Sequence, residues 1–106
     1  MSLATIAHVP TTSASRYLQQ LCKHWSHNLE VAFDAQNGTV TFPAKGRSGD
    51  WAGEGVFRMT AHDATLECRI DVSEPEQLDA LKGVVERHLD RFAFREAPLS
   101  FDWQAA

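Results

Sequence analysis

Residues Thr65 to Val72 alternate without interruption: Leu66, Cys68, Ile70 and Val72 fall on one side, Thr65, Glu67, Arg69 and Asp71 on the other. A period of two places these sets on opposite faces of a strand. One face must be covered while the other stays wet or half-covered, which is the pattern of an antiparallel sheet. The rest of the chain has to supply that cover, and two segments have the helical period to do it.

From Ser13 to Asn28, residues Ala14, Tyr17, Leu18, Leu21, Cys22 and Trp25 line one stripe, with Gln19, Lys23 and Ser26 opposite. Thr11-Thr12-Ser13 offers N-cap oxygens, and Asn28 is a C-terminal stop. Ser73-Glu74-Pro75-Glu76 matches a capping box with proline in the first turn, opening a helix that runs to about Phe92. Its stripe is Leu78, Leu81, Val85, His88, Leu89 and Phe92.

The remaining segments read as strands. Ala4 to Val9 is ended by Pro10. Leu29 to Asp34 and Thr39 to Phe42 flank Asn37-Gly38, a hairpin signal because both residues tolerate positive φ. Val56 to Ala61 pairs with Thr65 to Val72 around His62-Asp63-Ala64, and Leu99 to Trp103 closes the chain with Leu99, Phe101 and Trp103 on one face. Between them Pro43 to Gly55 has four glycines and no period, so it is expected as a long loop. Its Lys45-Gly46-Arg47-Ser48-Gly49 segment reads as a cationic flap or a tolerated surface insertion. The expected fold class is α+β: two layers, an antiparallel-rich sheet with two helices on one face, in the order β-α-β-β-β-β-α-β. That order resembles the TATA-binding-protein-like arrangement, also seen in the last domain of phosphohexomutases, a likeness of fold that carries no function.

At 106 residues the chain is expected to form a single domain spanning residues 1–106. Such a domain buries roughly two thirds of its unfolded surface, so no disulfide or metal staple is needed. A net charge of −4 leaves no excess of Lys and Arg to track a phosphate backbone, which argues against nucleic acid. No apolar run exceeds three residues, so no membrane span is expected. Ser2 to Ser15 lacks a basic start and a sufficient apolar stretch for a signal peptide, and two cysteines are too few for a secreted scaffold. A cytoplasmic protein with reduced thiols is the expectation.

Three clusters carry chemistry. His24 and His27 are three residues apart, about 60° around a helix axis, so they could share a metal, although two imidazoles are half a site and Cys22 faces the core. His88 sits inside an apolar stripe, where its N–H needs a partner, either a backbone carbonyl or a shared cleft with His24. Arg87, Arg91 and Arg95 form a basic ridge, which either complements the helix dipole or makes an anion-binding edge with Arg16 and Lys23. The glycine spacing fits neither a phosphate loop nor a dinucleotide fingerprint, so no cofactor is expected. No nucleophile elbow and no cysteine–histidine pair with an orienting partner is present.

Two longer motifs carry a resemblance. The run from Arg16 to His27 and the run from His88 to Glu96 resemble the two helix signatures of a bacterial family called domain of unknown function 2218, and the end at Trp103 fits as well. The likeness covers Thr5 to Trp103; against the family pattern, the loop Ala44 to Gly55 is longer than typical. The resemblance implies a domain that occurs alone, or joined to or encoded beside siderophore-interacting flavin reductases, which release iron from ferric chelates. A non-enzymatic binding or accessory protein is therefore expected, with His24, His88, Arg91 and Arg95 forming a cleft for a small anionic ligand or chelate. A partner chain would supply any flavin. The alternatives are a metal-binding domain through His24 and His27, or a homodimeric interaction module using an exposed aromatic such as Trp51 or a free sheet edge.

Overall fold

A computed structural model describes residues 3–46 and 49–106. Arg47 and Ser48 of the expected cationic flap lie outside the described residues. Among the described residues the order is β1 (Leu3–Pro10), α1 (Ala14–Trp25), β2 (Glu30–Phe33), β3 (Asn37–Phe42), β4 (Lys45–Gly46), β5 (Gly49–Asp50), β6 (Gly55–Ala61), β7 (Thr65–Val72), α2 (Pro75–Phe92) and β8 (Gln104–Ala105).

The alternating strand is central. β7 pairs with β1 on one side and β6 on the other, in a sheet ordered β2-β3-β6-β7-β1-β8 whose pairings are all antiparallel. The register lines up the inward residues: Thr5, Ile70, Phe57, Val40 and Val31 form one row across the strands, and Ala7, Cys68, Met59, Gly38 and Phe33 the next. Both helices pack on this face and on each other, so the fold is α+β with one covered side. Leu18, Leu21, Leu81, Val85 and Leu89 are fully buried against Phe57, Met59, Leu66 and Ile70.

The uncovered side is polar and pairs internally. Asp71 accepts from Arg58 and Arg69 at 3.0 Å each, and Glu67 lies between His62 at 3.2 Å and His8 at 3.6 Å.

Several local expectations are corrected. Leu99 to Trp103 is not a strand: Asp90 accepts the Leu99 N–H at 2.9 Å, Glu86 accepts from Trp103 Nε1 at 2.8 Å, and the run packs with Phe101 stacked on Trp103. Pairing begins only at Gln104, which joins Ala105 beside β1. The first hairpin turns at Asp34 to Gln36, where the Asp34 carboxylate accepts the Gln36 and Asn37 N–H groups at 2.8 Å each; Gly38 lies within β3. Those two bonds hold the Asp34 carboxyl below its ordinary value. Neither helix is capped as expected. Ser13 makes no side-chain cap bond, and its N–H instead donates to Thr11 Oγ1 at 3.1 Å. At α2 the N-cap is Glu74, and Ser73 N–H reaches Gln77 Oε1 at 3.4 Å, so the reciprocal capping box does not form. The glycine-rich loop holds the short β4·β5 ribbon.

Candidate functional site

The site follows from how Trp25 ends α1. Its indole enters the core edge-on to Phe42 at 5.2 Å and Phe57 at 6.0 Å, which fixes the last helical turn. His24, the preceding residue, is thereby turned toward α2. Its ring lies 5.8 Å from that of His88 and edge-on to Phe92 at 5.6 Å. The His88 ring also sits 5.1 Å from Trp25. His24 is exposed and His88 half-buried, so the two imidazoles make a ledge at the rim of the helix pair.

His88 has a defined tautomer in its neutral form. Its Nδ1 lies 2.7 Å from the Val84 carbonyl oxygen, an acceptor only, so Nδ1 carries the proton. Its Nε2 makes no hydrogen bond within the described residues and is not sealed from solvent.

Arg91 supplies the fixed positive charge beside the two imidazoles. Partial burial first, then the charges of His88, Arg91 and His27, hold the His24 imidazole below its ordinary value. The carboxylates that could neutralise it are turned elsewhere: Glu86 to Trp103, Asp90 to the Leu99 N–H, and Glu96 to Tyr17 and to Thr11 Oγ1 at 3.1 Å. The Glu96 bond is the main reason the Tyr17 phenol is raised. Among the described residues every ion pair lies on the outer side of the sheet, and none involves a cation of α1 or α2.

Arg91 is exposed in the last turn of α2. Arg95 lies beyond the helix end, so the four-residue ridge from Arg87 is interrupted after Arg91. Its guanidinium stands 5.7 Å over the Phe94 ring, and Phe94 is 71% exposed. Phe92-Ala93-Phe94 carries no sequence sign of where the helix stops, so the exposure of Phe94 is not legible there. Trp51, expected as an exposed aromatic, is half-buried, and its Nε1 is sealed with no partner among the described residues.

His27 lies in the turn just after α1, which ends at Trp25, and its charge acts on His24. Among the described residues no three His, Cys, Asp or Glu side chains gather to hold a metal. Cys22 and Cys68 are buried free thiols; burial pushes Cys22 up to about 11 and Cys68 further, so neither is a nucleophile at neutral pH. A shallow cleft of about 250 Å³ is lined by Asn28, Leu29, Glu30, Thr41, Pro43 and Glu54, none of them a ledge residue, and its carboxylates disfavour an anion.

The class is thus an antiparallel sheet covered on one side by two helices, with the His24 and His88 rings side by side where the helices meet. The chain belongs to the family described as uncharacterised protein conserved in bacteria (DUF2218), whose model matches residues 6–104. It is similar to a protein solved by NMR, PA4090 from Pseudomonas aeruginosa, with 28% identity over 96% of this chain and 95% of that one and a TM-score of 0.73. No curated protein matches. Among the described residues no helix is long and apolar enough to cross a membrane.

Proposed function

We propose that this chain is a non-enzymatic binding domain that takes a small anionic ligand on the ledge formed by His24, His88, Arg91 and Arg95. The observation that carries this reading is the approach of His24 to His88, 5.8 Å between rings, with Arg91 acting on His24 and in no ion pair among the described residues. Charge-assisted hydrogen bonds to carboxylate or phosphate are the chemistry such donors favour. Ferric chelates belong to this ligand class, and an accessory role in siderophore or iron handling is the physiological form of the proposal. The test is an amide NMR titration with citrate and with gallium citrate, a diamagnetic stand-in for the ferric complex. Saturable shifts at His24, His88, Arg91 and Arg95 are expected, with Arg91→Gln weakening binding by about tenfold, the loss of one charge-assisted bond. Shifts confined to other surfaces, or none, would overturn it.

Phe94 favours one further reading. An exposed aromatic beneath an arginine has the composition of an interface hot spot, and it supports the homodimeric interaction module. A mass in solution that stays monomeric as concentration rises would count against it.

A further inference from the structure

The ledge has an asymmetry that bears on how it would hold a ligand, and the inference rests on reading it as an anion site. His88 Nδ1–H is committed to the Val84 carbonyl, so a ligand can meet this ring only at Nε2. In the neutral ring Nε2 is a lone pair, which repels an anion; in the imidazolium it is an N–H donor. We propose that the ledge takes up one proton, at His88 Nε2, with each anion it binds, so that the acid form of the site is the binding form. The proton comes from solvent, and no covalent bond changes.

The surroundings agree. From α1, His24 faces His88 directly, with His27 beyond it; from α2, Arg91 adds a fixed positive charge. The α2 carboxylates nearest in sequence, Glu86 and Asp90, are turned to Trp103 and Leu99. Neither imidazole has a carboxylate ion-pair partner among the described residues, and a bound anion would supply one. His24 has a lowered affinity for a proton, through partial burial first and the neighbouring charges of His88, Arg91 and His27 second. Its contribution to stability is intact above the ordinary imidazole value and is lost as pH falls through that value toward the lowered one. A bound anion reverses the loss.

Sulfate is the suitable probe, because its charge is constant across this range whereas phosphate titrates. Calorimetry at pH 8 in two buffers of different ionisation enthalpy should show uptake of about one proton per sulfate, and affinity should fall about tenfold for each pH unit above the imidazole range. Nitrogen-detected spectra of the histidine rings should show His88 Nε2 gaining its proton as sulfate is added. His88→Gln should bind weakly and with a flat pH profile, whereas Arg91→Gln should weaken binding while keeping the slope. Saturable binding at the ledge with no proton uptake and no pH slope would overturn the proton coupling and leave the anion site standing. No saturable binding even at pH 5.5 would overturn both.

Discussion

Gly38 shows how one residue can set the distance between layers. A Cβ built there would lie 2.8 Å from Cys22 Sγ and 3.3 Å from Leu18 Cδ2. Both neighbours belong to fully buried residues of α1, so the missing side chain is what lets that helix approach β3. Gly38→Ala should destabilise the protein by about 1–3 kcal/mol through overpacking, despite the small gain from a stiffer unfolded chain. Urea denaturation measures this, and the cost should shrink in the double variant with Cys22→Ala, which removes the atom in the way. The dipeptide Asn37-Gly38 reads from sequence as a turn, because turn preference and absence of a side chain are both properties of glycine. Only the register distinguishes them: Gly38 is paired with Phe33 and Met59, and Asp34 makes the turn instead. The inward rows of β7, and the stripe of α1, were legible for the opposite reason: periodicity records a face directly, and every member of the α1 stripe is buried. His24 near His88 was legible only as a possibility, since no sequence spacing states how far apart two helices lie.

At the scale of elements, polar side chains stitch segments that have no pairing of their own. Gln77, fully buried at the start of α2, donates from Nε2 to the Gly53 carbonyl at 2.9 Å, while Glu74 accepts the Ala52 N–H at 2.8 Å. These two contacts bind the glycine-rich loop to α2. Gln77→Leu should cost about 1–3 kcal/mol, because it strands the Gly53 carbonyl. Faster amide exchange should follow in residues 50–54, with α1 unaffected; uniform acceleration across the chain would show that the contact is not local. The final segment follows the same rule. Leu99, Phe101 and Trp103 alternate because one side is covered, yet Asp90 and Glu86 on α2 hold the segment rather than a neighbouring strand. A period of two therefore reported burial correctly and pairing incorrectly. The helix stripe on α2 needed a similar adjustment: Gln77 is buried within it, whereas His88 is half-buried at its edge.

Over the whole molecule, a net charge of −4 conceals a division of labour. On the open side of the sheet, Arg58 and Arg69 pair with Asp71, and His8 and His62 with Glu67. On α2, Glu86 and Asp90 accept from neutral donors, and the cations of both helices form no ion pairs among the described residues. Composition gives the total, but which charges cancel depends on cross-strand register and on where the chain goes after α2. The same register has another outcome. Because β8 pairs with β1, Gln104 lies opposite Ile6 and Ala105 opposite Thr5, and the Ala106 N–H donates to the Ala4 carbonyl at 3.1 Å. The two ends of the described chain meet at one edge of the sheet. A circular permutant with these ends joined by a short glycine–serine linker, and opened at the exposed His62-Asp63 turn, should fold with an unchanged far-ultraviolet spectrum. Failure to fold would show that β1 must be laid down before β7. The adjacency also means that this fold could be spliced into a loop of a larger protein as easily as appended to its terminus, entering and leaving through a single doorway.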